Sequence, residues 1–387
     1  MTRPLEGVRV LDLTRLLPGG FATLIMADLG ADVLKIEEPG KGDYVRWTPP
    51  FDRDVSAGHL ALNRSKRSMT LNLKHERGRE ILLRLVRDAD VLIESFRPGV
   101  MERLGVGYEA LRAQNPRLVY CAITGYGQDG PYRAKAGHDI NYLGYAGVLG
   151  LTGPAGGDPV IPGVQIGDLG GGALMALGGM LAALYDRERS GEGRFVDISM
   201  TDGAMAWLSF HAQAHLFEGG EPPRRGEMRL SGGMACYQIY RCGDGKHVTV
   251  GALEPQFWAT LCTALGVPEL IPKHLGDEDT QREMIEILSS VFASMPRDEW
   301  VAALADLDAC VGPVNNLDEA LADPHLRSRA MIVAIGDRTV LGNPVRLSGS
   351  ESRYRDAPGF GDATEAVLSA AGYAGEEIAA LRDSGAI

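Results

Sequence analysis

The sequence predicts an α/β fold: a parallel sheet flanked by helices, followed by a second unit. Short apolar strands alternate with helical segments from Val8 to Ile123, the pattern of consecutive βαβ units. A polar Gly/Pro-rich run, Glu218 to Gly226, then separates this part from a hairpin and three helices. Finally, 387 residues with 45% apolar content can bury two cores, or one elaborated core.

Val8 to Leu13 reads as a buried strand. Pro18 to Leu29 is a helix stopped by Gly30, and Asp32 to Ile36 is the next strand. A third strand at Ser68 to Leu73 precedes an amphipathic helix at Glu76 to Arg87; Asp90 to Glu94 and Leu118 to Ile123 are further strands. Ligands of such sheets bind beyond the carboxyl ends of the strands, here the loops that begin at Thr14, Asn72, Ser95 and Thr124. Helices dominate from Asp139 to Phe217, around a strand at Arg194 to Ile198. Beyond the linker, Tyr237 to Arg241 and His247 to Val250 form a hairpin on Gly243-Asp244-Gly245, with His247 a solvated strand residue. Helices follow at Pro255 to Leu265, Asp279 to Ser294 and Arg297 to Leu304, the second of them facing a core with Met284, Leu288 and Phe292. Strand-like segments at Met331 to Ile335 and Val340 to Leu347 precede a helix at Ala363 to Ala371.

Composition excludes several classes. A net charge of -12 with no basic run argues against nucleic-acid and anionic-membrane partners. Five cysteines without metal-ligand spacing suit reduced thiols and no metal centre. No stretch of 18 uninterrupted apolar residues or signal core stands out, so a cytoplasmic location is expected. The absence of G-x-G-x-x-G and Walker motifs after the strands argues against nicotinamide and nucleoside-triphosphate chemistry.

The stretch from Gly137 to Gly172 carries the candidate chemistry. His138 heads one apolar segment, and Asp168 stands where an N-cap would stand before a helix at Leu169 to Leu184. Two such groups at helix N-termini can flank a thioester or its enolate: one base removes an α-proton and the other returns one to the opposite face. The backbone near Asp139 is the candidate oxyanion donor, with Asp139 a positioning residue. Each residue also has a plainer reading, a cap for Asp168 and a satisfied polar group for His138. Glu254 likewise reads as the N-cap before Pro255. The glycines at 170, 171, 172, 178 and 179 imply close approach of a ligand or of another backbone.

Several motifs resemble the family III CoA-transferases (CaiB/BaiF). These are Pro4-Leu5-Glu6-Gly7-Val8-Arg9-Val10-Leu11-Asp12-Leu13, Asp28-Leu29-Gly30-Ala31-Asp32-Val33, Asp90 to Gly99 and Thr124 to Pro131. Gly137-His138-Asp139-Ile140-Asn141-Tyr142 and Val250 to Phe257 are similar to the α-methylacyl-CoA racemase branch. The resemblance implies a Rossmann-like large domain at residues 1–220, a smaller α+β domain at 221–325, a return to the large domain at 326–387, and an interlocked homodimer. It implies an acyl-CoA substrate, CoA being part of that substrate and no separate cofactor being needed.

The resemblance further implies that His138 and Asp168 are the two bases, with Glu254 reaching His138 across the dimer. It places Asn72, Leu73, Lys74 and Arg103 on CoA, and it marks a departure at Glu38, where relatives often carry Arg against the adenine. Arg64, Lys66 and Arg67 are candidates for the missing cationic surface. The expected activity is racemisation of 2-methylacyl-CoA thioesters. The alternative is CoA transfer to a carboxylate through an aspartyl anhydride on Asp168, with the Gly232-Gly233 loop covering the intermediate. A CoA-ester-binding protein without turnover is the reading from another class.

Overall fold

The computed structural model describes residues 3–387. The chain forms two compact units: residues 3–146, 163–209 and 325–387 make one, and 147–162 with 210–324 make the other.

The first unit is built on six parallel strands: β1 (Arg9–Asp12), β2 (Asp32–Glu37), β3 (Arg67–Thr70), β4 (Val91–Glu94), β5 (Val119–Thr124) and β6 (Phe195–Ser199). They lie in the order β3-β2-β1-β4-β5-β6. Val10 is in register with Val33 on one side and Val91 on the other. Side chains alternate between the faces. Val10, Val33, Val91 and Val119 therefore enter one core with the helix Leu17–Asp28, while Leu11, Leu34, Met69 and Leu92 enter another with Glu76–Val86 and the C-terminal helix Gly375–Asp383. Burial on both faces explains why these strands read as unbroken apolar runs. The chain winds outward from β1 in one direction and from β4 in the other, so the two loops after these strands open a crevice at the switch point.

The helix after residue 165 departs from expectation. It runs over Ile166–Ser190, and its first nine residues, Ile166–Leu174, are wound as a π-helix. Asp168 thus lies inside the first turn rather than at an N-cap, and the N-cap position belongs to Gln165. The glycines explain the geometry: a Cβ on Gly171 would come within 2.6 Å of the Met200 carbonyl oxygen, and one on Gly203 within 2.2 Å of the Gly171 oxygen. Two backbones touch at Gly171, whereas a Cβ on Gly170 would meet the Trp207 ring, one on Gly172 the Met200 and Pro18 side chains, one on Gly179 the Val196 side chain, and one on Gly178 nothing. The helix is long and apolar enough to cross a bilayer, but half of its most apolar window is buried within the protein. It reads as a core helix.

The run Arg64-Ser65-Lys66-Arg67 also differs from expectation. Lys66 is buried against Asp12 at 3.1 Å, Arg64 is buried against Asp28 at 2.6 Å, and Arg67 pairs with Asp32 at 2.6 Å. None offers a free cation. Residues 325–387 add a hairpin, Ile332–Ile335 with Arg338–Leu341, and the helix Thr364–Ala370, whose Thr364 hydroxyl accepts the Thr70 amide at 3.0 Å.

The second unit holds the antiparallel strands Tyr237–Arg241, His247–Gly251 and Val311–Pro313. Its core packs Tyr240, Val248 and Trp258 with Met284, Leu288 and Phe292 of the helix Glu278–Phe292, as the helical periodicity predicts, and His247 is exposed.

Candidate active site

At the switch point, the loops after β1 to β4 enclose a cavity of about 260 Å³. Ile36, Leu71, Leu73, Phe96 and Leu104 give it apolar walls. Asn72, Leu73 and Lys74 all line it. Asn72 turns the chain there: its Oδ1 accepts the Lys74 amide at 3.0 Å and its Nδ2 donates to the Gly385 carbonyl at 3.0 Å. Arg103 is exposed on the short helix Val100–Arg103, while Val100 and Leu104 of that turn face the cavity. Glu38 accepts from Lys74 at 2.9 Å and from Arg15 at 3.2 Å. Where an arginine was the family expectation, a carboxylate holds two cations.

A buried charge network underlies these loops. The Lys35 ammonium sits 2.8 Å from an Asp43 carboxylate oxygen and donates to the Thr14 carbonyl at 2.9 Å. Asp43 Oδ1 accepts the Leu16 amide at 3.1 Å. Leu16 has φ 63 and ψ -153, a region that non-glycine residues enter only at a cost of about 1–3 kcal/mol. The Asp43 hydrogen bond holds that strained turn.

Arg15 and Phe96 also line a second cavity of about 330 Å³, which contains both His138 and Asp168. His138 immediately precedes the helix Asp139–Tyr145, and its backbone N–H donates to Asn141 Oδ1 at 3.0 Å. The Tyr142 ring leaves no room for a Cβ on Gly125 or Gly137, and its hydroxyl donates to the Gly137 carbonyl at 2.5 Å, which fixes the backbone on which His138 stands. The amides of Asp139 and Ile140, at the start of this helix, have no intrahelical acceptor and remain available as donors.

Asp139 turns inward. Its Oδ1 accepts the Asp168 backbone N–H at 2.9 Å, tying the two ends of the candidate stretch together. Burial raises the Asp168 carboxyl to about 6, the neighbouring Asp139 charge adds to the rise, and His138 opposes it. A carboxyl poised near neutrality is a far better base than an exposed one.

Sequence reasoning passed over Arg97, Arg133, Lys135 and Tyr142, all of which line this cavity. Arg97 lay within a quoted motif, and Arg133 and Lys135 lay in the loop before His138; two cations so near a candidate base were the available signal. Glu94 was also missed: burial pushes its carboxyl up to about 8, and it accepts the Phe96 amide at 2.6 Å, steadying a ring shared by both cavities.

Glu254 lies in the second unit, preceding the helix Pro255–Ala264, and its side chain makes no capping hydrogen bond. In the same unit Gly233 donates its N–H to the Met228 carbonyl at 2.9 Å and Gln238 Nε2 donates to the Gly232 carbonyl at 2.7 Å, so this glycine loop is tied down.

The family model described as CoA-transferase family III matches residues 5–364. The chain belongs to CoA-transferase family III. Among family III relatives, the α-methylacyl-CoA racemase of Homo sapiens is 37% identical, over 97% of this chain and 95% of that one. The succinyl-CoA:glutarate CoA-transferase of Homo sapiens is also 37% identical, over 95% of this chain and 85% of its own length. Acetyl-CoA:oxalate CoA-transferase of Acetobacter aceti is 37% identical over 92% of both chains. A CaiB/BaiF family protein from Brucella suis matches in structure with a TM-score of 0.84 and 32% identity, over 96% of this chain and all of that one. Racemases and transferases are thus equally near in sequence.

Proposed function

We propose that this family III enzyme interconverts (R)- and (S)-2-methylacyl-CoA thioesters by two-base proton transfer through an enolate. The observation that carries this reading is the pairing of His138 and Asp168 in one cavity, with the Asp168 carboxyl raised to about 6. Each base serves one face of the α-carbon. The first amides of the helix after His138 are placed to stabilise enolate charge, an interaction worth roughly 3–4 kcal/mol in comparable oxyanion sites. The nucleotide end of CoA belongs in the apolar cavity beside Asn72, Leu73 and Lys74. The reading includes an interlocked homodimer in the cytoplasm, in which Glu254 of one copy orients His138 of the other.

The second reading is CoA transfer, with Asp168 attacking the thioester carbonyl. The transferase names at 37% identity support it. Incubation with a 2-methylacyl-CoA in deuterated water separates the two. Racemisation predicts α-deuterium incorporation and loss of optical purity without any acceptor, and His138→Ala abolishes removal of the proton from one face. No exchange, together with CoA transfer to an added carboxylate through a hydroxylamine-sensitive intermediate, would establish the transferase.

A further inference from the structure

Leu16 stands in the turn between β1 and the helix Leu17–Asp28 and lines the cavity of His138 and Asp168. Its φ of 63° and ψ of -153° belong to a backbone region that glycine enters freely and any side chain strains. The chain does not lack glycine for such places. Most of its positive-φ positions are glycines, and three residues on, Gly19 stands where a Cβ would meet the Thr14 side chain at 2.2 Å. Among the described residues, Leu16, Arg53, Ser65, Cys310 and Ala330 are the non-glycines at positive φ, and of these Leu16 alone lines this cavity.

Packing does not account for the leucine. It is half-buried, and among the described residues neither core of the first unit includes it. Glycine would relax the backbone, so what the strain retains is the side chain. Three anchors keep the turn in place: Lys35 Nζ donates to the Thr14 carbonyl at 2.9 Å, the Arg15 N–H to Ser95 Oγ at 3.1 Å, and the Leu16 N–H to Asp43 Oδ1 at 3.1 Å. Surroundings that fix a residue this firmly are what let a strained conformation persist. The turn also packs beside the Asp168 segment, since a Cβ on Gly172 of that π-wound stretch would meet Pro18 at 3.1 Å. Pro18, Tyr142 and Met200 line the cavity together with Leu16.

We propose that Leu16 is a specificity-determining residue, whose side chain limits the branch on the acyl α-carbon to a methyl group and rejects longer alkyl branches. This rests on the reading of the site as one for 2-branched acyl-CoA thioesters, and it names the residue that restricts the branch. An enolate is planar, so with one base on each face its branch lies in the plane and meets the walls between the bases. A fixed aliphatic wall there discriminates by a methylene or two. Two pairs of probes test it. The reactive pair, 2-methylpentanoyl-CoA and 2-propylpentanoyl-CoA, differs only in the branch. The unreactive pair is the thioethers S-(2-methylpentyl)-CoA and S-(2-propylpentyl)-CoA.

The native enzyme favours the methyl member of each pair by about tenfold or more. The preference is read as kcat/KM for α-deuterium exchange and as Kd by calorimetry. Leu16→Ala and Leu16→Gly both bring the ratios close to one. The two variants part in stability: Leu16→Gly has the higher urea midpoint, because only glycine relaxes at this backbone position. Equal binding of the two thioethers by the native enzyme overturns the proposal, as does a preference that both variants keep. A Gly variant no more stable than the Ala variant overturns it too, since the turn would then not be strained. Thioether discrimination that the variants lose, without exchange from either ester by the native enzyme, upholds the role of Leu16 while sinking the racemase.

Discussion

Two charged clusters of the first unit differ in how their charges are compensated. Beneath the cavity beside Asn72 and Lys74, Asp12 is buried with Lys66 and Asp43 with Lys35. Burial alone would raise the Asp12 carboxyl, but Lys66 and Lys35 outweigh it and hold the group well below the usual carboxylate range. Around His138 the balance is reversed: Asp168 faces a like charge on Asp139, and the nearby cations have no carboxylate partner. Compensated charge fixes the loops that the chemistry stands on. On the proposed reading, uncompensated charge is held ready for a ligand and a proton.

The largest effects should separate the clusters cleanly. Lys66→Met leaves Asp12 buried without its ion-pair partner, and breaking such a pair costs about 3–5 kcal/mol, read as a lower urea midpoint. Asp168→Asn should do the opposite, lowering exchange by about 10²–10⁴-fold while leaving the fold as stable or more so at pH 7. The sign follows from linkage. The folded carboxyl titrates at about 6 and the ordinary value is 3.8, so the native enzyme loses stability as pH rises between those values. The Asn variant has no such loss. Equal stability losses in the two variants would erase the distinction.

Much of this was legible in the sequence, for physical reasons. Strands buried on both faces show as apolar runs, so the parallel sheet could be read directly. His138 and Asp168 were found by their motifs, and a large-scale fold brought them into one cavity. The helix start was missed because the expected cap, Asp168, is enclosed by a π-wound turn that depends on contact between Gly171 and Gly203, residues far apart in the chain. Arg64 and Lys66 were misread as surface cations for a related reason. Their burial depends on Asp28 and Asp12, which no local pattern ties to them. Partners across the sheet are invisible to periodicity.

Asp139→Asn sharpens the comparison within the His138–Asp168 cluster. The amide side chain can still accept the Asp168 N–H through its oxygen, while the like charge disappears. In the direction where Asp168 takes the proton, the acid limb of kcat/KM should therefore move from about 6 toward lower pH. An unmoved limb would mean that Asp168 is not the titrating base.

The smallest effect is expected at Glu38, where the two patterns meet. Its carboxylate compensates Arg15 and Lys74, but Lys74 is 73% exposed, so these pairs belong to the weak class, worth about 0.2–1 kcal/mol. If Glu38 merely occupies the cations until CoA arrives, Glu38→Gln frees them for phosphate and lowers the Kd for CoA by up to about fivefold, a gain that fades at high salt. If Glu38 instead orients Arg15 and Lys74 for the ligand, the same change weakens binding. Calorimetry with CoA at two salt concentrations decides, because only competition for charge gives tighter binding that salt removes. Tighter binding would show that uncompensated charge is the working state of the cavity beside Asn72 and Lys74 as well, reached there by releasing a side chain instead of never pairing it.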